Sequence, residues 1–171
     1  MDKNILMVIA QKNFRDEEFK IPRSVFMQKG ATVFVAAPEK KQADGMLGAV
    51  VQPDYSLVEA AALKFDALVV VGGAGAPEEL WDSPVLQTMV RTQSSSGGLL
   101  AAICLAPVVL ARAGVLSGKE ATVYKTQQTL DELKKFGVKM VYRDVVVSGS
   151  IVTANGPASA REFALALCKL F

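Results

Sequence analysis

The sequence predicts a single α/β domain spanning residues 1–171, built on a doubly wound, mostly parallel sheet with helices on both faces. Three observations lead there. The apolar runs NILMVIA (4–10), TVFVAA (32–37), ALVVV (67–71) and LLAAI (99–103) are continuous rather than alternating, as in strands covered on both faces. The segments between most of these runs carry helix starts and stops, so strands and helices alternate. With 51% hydrophobic and 21% charged residues, 171 residues suit one domain that buries roughly 70% of its unfolded surface.

The opening MDKNILMVIAQKN lacks a small-residue cleavage site and reads as the first strand, not a secretion signal. Residues 16–29 read as a helix closed by Gly30, with Phe19, Ile21, Val25 and Phe26 at partial helical spacing. Pro22 inside it predicts a kink or a restart. After the strand at 32–37, residues 45–55 (GMLGAVVQPDY) are punctuated like a hairpin or an edge excursion. A short helix over 56–63 starts from a capping box, Ser56 with Glu59. The strand at 67–71 ends in Gly72-Gly73, and 77–92 follows as a helix. The strand at 99–103 runs into Cys104, and helices are expected at 106–113 and 126–136. Short strands at 138–141, 145–147 and 151–154 precede a C-terminal helix over 157–170 with Pro157 in its first turn. In such a fold the ligand site lies beyond the carboxyl ends of the strands.

Composition narrows the function. The net charge of +2 comes without runs of like charge, which argues against nucleic acid or a membrane surface as partner. No stretch of 18 apolar residues could span a bilayer. Two cysteines without a secretory signal indicate a cytoplasmic protein without a disulfide framework. There is no histidine, which excludes Cys–His and Ser–His pairs and every His-based metal site within the chain. No metal and no cofactor are expected.

The most informative segment is AAICLAP (101–107). Ala102 and Ala106, two residues before and two after Cys104, allow the crowded turn of a nucleophile elbow. A helix starting at once after Cys104 would favour its thiolate; a small buried cysteine at a tight strand end is the plain alternative. Gly72-Gly73-Ala74-Gly75-Ala76 follows a strand and precedes a helix. It could offer backbone N–H groups to an oxyanion, or be only a tight turn. Asp16, Glu17 and Glu18 open the first helix, where they complement its dipole. One of the three could also reach Cys104, and it would then hold a proton because burial and a nearby anion both raise a carboxyl pKa. Asn155-Gly156-Pro157 falls at the same sheet edge, and Cys168 in ALALCKLF reads as a core cysteine.

These segments, taken together, resemble the DJ-1/ThiJ/PfpI superfamily, a class I glutamine amidotransferase-like group, over nearly the whole chain. The matching stretches are FRDEEFKIP, QPDYSL, VVVGGAGAPEELW, GGLLAAICLAPVVLARAGVLSGKEAT and SIVTANGPASAREFALAL. The resemblance implies a flavodoxin-like fold, a homodimer and a reactive elbow cysteine, here Cys104. It implies that Glu18, four residues before Pro22, is a protonated glutamate bonded to the thiol. Gly73, Ala74 and the Leu105 amide match the anion-binding backbone. Two departures stand out. Leu105 follows the cysteine where many members have histidine, and Tyr124 stands at the second histidine position. Protease or amidase activity, which needs leaving-group protonation, is therefore disfavoured. The resemblance points first to glutathione-independent glyoxalase or deglycase-type chemistry on small 2-oxoaldehydes. The alternatives are a redox-responsive, stress-protective protein with an oxidisable Cys104, and a scaffold whose catalysis has decayed.

Overall fold

A computed structural model describes residues 1–171. In chain order the elements are β1 (Asn4–Val8), β2 (Lys12–Phe14), α1 (Asp16–Gln28), β3 (Thr32–Ala37), β4 (Ala43–Gly45), β5 (Val50–Val51), β6 (Tyr55–Ser56) and α2 (Leu57–Ala60). They continue with β7 (Ala67–Val70), α3 (Gly75–Glu79), α4 (Pro84–Ser95), β8 (Leu99–Ile103), α5 (Pro107–Arg112), β9 (Glu120–Ala121) and α6 (Gln127–Lys135). The chain ends with β10 (Lys139–Met140), β11 (Val145–Ser148), β12 (Ile151–Ala154), a 3₁₀ turn over Pro157–Ser159 and α7 (Ala160–Cys168).

The main sheet has seven strands in the order β11-β12-β8-β7-β1-β3-β6, and only the β11–β12 pairing is antiparallel. The doubly wound, mostly parallel architecture is as the sequence predicts. Strand β1 explains why its apolar run is continuous. Leu6 and Val8 belong to the core on one face, and Ile5, Met7 and Ile9 to the core on the other. With a side-chain period of two, both faces need apolar residues. The chain leaves β1 toward β3 on one side and later fills the other side with β7, β8 and β12. The loops after β1 and β7 therefore diverge, opening a crevice at the carboxyl ends of the strands.

Four details differ from the sequence reading. Helix α1 continues through Pro22 without a restart. Proline there removes only the bond to the Glu18 carbonyl, and burial of Phe19, Pro22, Val25 and Phe26 holds the helix in place. The helix expected over 77–92 is two helices. Pro84 cannot continue α3; it sits in the first turn of α4, while Ser83 caps that helix by accepting from the Leu86 amide at 3.2 Å. The C-terminal helix begins as a 3₁₀ turn. The hairpin expected at 45–55 is β4–β5, and it carries an unforeseen third strand, β2. The capping box of Ser56 and Glu59 is formed on both sides, at 3.2 and 2.8 Å.

Candidate active site

Cys104 is the first residue after β8, and its backbone is left-handed, with φ of 64°. A non-glycine residue in that region is strained and needs surroundings that hold it. Three backbone bonds do so. The Cys104 amide donates to the Ala154 carbonyl (2.9 Å), the Tyr124 amide donates to the Cys104 carbonyl (2.8 Å), and the Ala106 amide donates back to the Ile103 carbonyl (3.0 Å). Ala102 and Ala106 are fully buried, which is why only small side chains fit beside the elbow.

The three acidic residues opening α1 have separate tasks. Asp16 accepts the amides of Leu47 (3.1 Å) and Ala49 (2.8 Å) and so anchors the β4–β5 turn. Glu17 holds the Arg15 guanidinium through Nε (2.9 Å) and Nη2 (3.2 Å). Glu18 is fully buried and faces Cys104. A Cβ placed on Gly72 would lie 2.5 Å from Glu18 Oε2, 2.7 Å from Cys104 Cβ and 2.6 Å from the Ile103 carbonyl. Gly72 is thus the spacer between carboxyl and elbow, and no side chain fits there. Gly73 is required as well. Its φ is 108°, and its missing Cβ would meet the Arg15 nitrogen at 2.4 Å and the Asn13 carbonyl at 2.5 Å.

The electrostatics follow from this burial. Both Glu18 oxygens lack a well-formed hydrogen bond. Desolvation pushes the carboxyl pKa up to about 7, against weaker lowering by the Cys104 thiol and the Gly72 amide. Burial also pushes the Cys104 thiol up, with Glu18 adding to the rise, and the Gly73 and Leu105 amides oppose it. Burial thus works against the pull toward a thiolate expected of the helix start after Cys104. Helix α5 starts three residues later, is six residues long, and desolvation outweighs the amides. Glu18 and Cys104 therefore form a pair that carries both protons in mildly acidic solution and at most one negative charge near neutrality.

The cleft over Cys104 has a volume of about 350 Å³ and is lined by Arg15, Glu18, Met46, Gly73, Ala74, Leu105, Tyr124 and Pro157. Cys104, Glu18, Gly73, Ala74, Leu105 and Tyr124 thus border one space, and Asp16 and Glu17 do not line it. Their arrangement differs in detail. The Gly73 and Leu105 amides face the sulfur, whereas the Ala74 amide donates to Met46 Sδ at 3.4 Å. Tyr124 is half-exposed at the rim. The Leu105 carbonyl accepts Trp81 Nε1 at 2.8 Å, and Arg112 stacks 5.3 Å from the Trp81 ring while bonding Glu132 at 2.8 and 2.9 Å. Sequence reasoning missed Arg15, Met46 and Trp81. Met46 reaches the cleft only because the small sheet folds the hairpin over it. Of the Asn155-Gly156-Pro157 turn, only Pro157 lines the cleft; Asn155 bonds Asp144 and Ser159 instead. Cys168 is half-buried at the end of α7, packed against the core rather than inside it. No three carboxylates or thiols converge as a metal site.

The chain as a whole resembles known proteins. The family model described as DJ-1/PfpI family matches residues 3–170. The chain belongs to the DJ-1/PfpI family. Protein dj-1beta of Drosophila melanogaster is 36% identical over 172 residues, covering 99% of this chain and 89% of that protein. Its crystal structure superposes with a TM-score of 0.89 over 99% of this chain and 90% of its own. The glutathione-independent glyoxalase DJR-1.2 of Caenorhabditis elegans is 29% identical over 163 residues (95% and 86%). Deglycase PfpI of Pyrococcus furiosus is 32% identical over 162 residues (92% and 96%). The flavodoxin-like α/β fold inferred from the sequence is the fold of these neighbours.

Proposed function

We propose that this protein converts small 2-oxoaldehydes to 2-hydroxy acids without glutathione, with Cys104 as nucleophile and Glu18 as proton carrier. The observation that carries the reading is the Glu18–Cys104 pair across Gly72, with a carboxyl poised to exchange a proton near neutral pH. Relatives named as a glutathione-independent glyoxalase and a deglycase support the reaction class.

The steps follow from the pair. Ionised Glu18 takes the Cys104 proton, and the net charge of the pair is unchanged. The sulfur adds to the aldehyde carbon, and the carbonyl electron pair becomes an alkoxide facing the Gly73 and Leu105 amides, which then takes the proton from Glu18. Glu18 next removes the hydrogen from that carbon as a proton and returns it to the neighbouring carbonyl carbon, while the hydroxyl proton passes to the oxygen of that former carbonyl. The hemithioacetal becomes a 2-hydroxy thioester, which water cleaves to the hydroxy acid and free Cys104. No step requires an imidazole. A second reading, an oxidation-responsive protein, draws on the same features: a sulfinate on Cys104 would accept from protonated Glu18 and the two amides.

Purified protein incubated with methylglyoxal and no added thiol should form lactate, and Cys104→Ala should form none. Absence of turnover in the wild type, or equal turnover in the variant, overturns the proposal. Uptake of two oxygens at Cys104 under mild peroxide, without turnover, favours the second reading. A cytoplasmic homodimer is part of the same picture. Association is supported by the apolar side chains that Met27 of α1 and Leu47 and Val50 of the β4–β5 hairpin leave exposed. Sedimentation at monomer mass would refute the dimer.

A further inference from the structure

Resting on the reading that Cys104 is the reactive group, we propose that Arg15 binds a carboxylate on the ligand. The preferred substrates are then aldehydes and 2-oxoaldehydes that carry a carboxylate close to the reactive carbonyl. Arg15 is the only cation lining the cleft, and the one carboxyl there, Glu18, is fully buried beneath it. The guanidinium is not a loose surface group. Glu17 grips one edge of it through Nε and Nη2, and the Arg15 amide is tied to the Gly72 carbonyl at 3.1 Å. That grip uses one fork of the planar group. The remaining edge, with both Nη1 hydrogens and the second Nη2 hydrogen, has no protein partner. Two parallel N–H donors on that edge match the two oxygens of a carboxylate. The rest of the rim, from Met46, Leu105, Tyr124 and Pro157, carries no charge, and the Tyr124 hydroxyl is its only other side-chain donor, so Arg15 alone offers an acid group an opposite charge. Glu17 neutralises part of the charge while orienting it, which suits a ligand that must leave after reaction.

Alkylation of Cys104 by two reagents of nearly equal size, iodoacetate and iodoacetamide, tests this without relying on turnover. In each case the sulfur forms a bond to carbon and iodide departs. Both reagents need the same thiolate, so the ratio of their rates cancels changes in thiol pKa. In a Cys168→Ser background the iodoacetate-to-iodoacetamide ratio is expected to fall roughly fivefold in Arg15→Ala, as for a charge a few ångströms away in partly screened surroundings. Arg15→Lys should recover most of it, and added salt should narrow the gap. Glyoxylate, an aldehyde bearing a carboxylate, should protect Cys104 at lower concentration than acetaldehyde, and Arg15→Ala should abolish that difference. Equal ratios in the wild type and Arg15→Ala overturn the inference. Failure of methylglyoxal turnover would instead refute the glyoxalase reading and leave the ratio intact.

Discussion

Replacing Glu18 by glutamine removes the one fully buried carboxyl of the protein, and the structure sets what that does to stability at each pH. The folded carboxyl has its pKa pushed up to about 7 from an ordinary 4.5, chiefly by desolvation. Each pH unit between the two values is worth roughly 1.36 kcal/mol, so the interval corresponds to about 3 kcal/mol. Below pH 4.5 both folded and unfolded chains hold the proton, and Glu18 carries no ionisation penalty. Between 4.5 and about 7 the folded state binds more protons than the unfolded one, so stability falls as pH rises. Above about 7 the loss is complete, because the carboxylate is then ionised in the core. The glutamine side chain of the variant does not ionise. Its amide adds a constant offset, since the site offers few partners. The wild type should thus lose about 3 kcal/mol relative to Glu18→Gln across this window. Urea unfolding of both proteins over the window, in a Cys104→Ala background so that no elbow thiol titrates, reads this difference directly. A stability difference that does not change with pH would show that Glu18 titrates like an exposed carboxyl, and the proton-carrier argument would collapse.

Other perturbations have equally definite outcomes. Gly72→Ala places a methyl against the Ile103 carbonyl and the Cys104 Cβ, which cannot swing away. It should lower stability by about 1–3 kcal/mol and suppress Cys104 alkylation, and an unchanged melting temperature would contradict the packing argument. Asp16→Asn forfeits one of the two amides held at the β4–β5 turn. The loss should be about 1–2 kcal/mol, with faster hydrogen exchange confined to residues 45–51; uniform exchange changes would refute it. Trp81→Phe removes the 2.8 Å bond to the Leu105 carbonyl. It should cost about 1 kcal/mol yet reduce turnover several-fold by loosening the Leu105 amide, whereas full activity would mean the elbow needs no such support.

The sheet was legible because its strands are buried on both faces, so 4–10, 32–37, 67–71 and 99–103 stand out as unbroken apolar runs. A two-residue strand such as Glu120–Ala121 did not stand out, since it carries no periodicity of its own, whereas Lys139–Met140 falls within the expected strand at 138–141. The break between α3 and α4 could have been read from Ser83-Pro84, a cap followed by a first-turn proline. Cys104 and the glycine loop were visible as local patterns. Choosing Glu18 over Asp16 and Glu17 was not a matter of pattern, because the choice depends on how α1 packs. Resemblance selected Glu18, and packing gives Asp16 and Glu17 other partners. Arg15 shows the limit most plainly, as an arginine beside three acids reads as an ordinary exposed charge until the loop after β7 brings it to the rim. At the thiol two opposed effects meet, the amides that favour a thiolate and the burial that opposes it, and how they balance depends on packing that the local pattern AAICLAP does not carry.

The proposed reaction needs Cys104 and Glu18 to act together, and the rate of lactate formation from methylglyoxal in Glu18→Gln tests this most directly. Glutamine preserves shape and burial but can neither accept the thiol proton nor carry hydrogen between carbons, so turnover should fall at least a hundredfold, within the roughly 10²–10⁴-fold span of general acid–base catalysis. Cys104→Ala should show none. Turnover in Glu18→Gln within a few-fold of the wild type would contradict the account, because the proton would then be travelling by a route that the buried carboxyl does not provide.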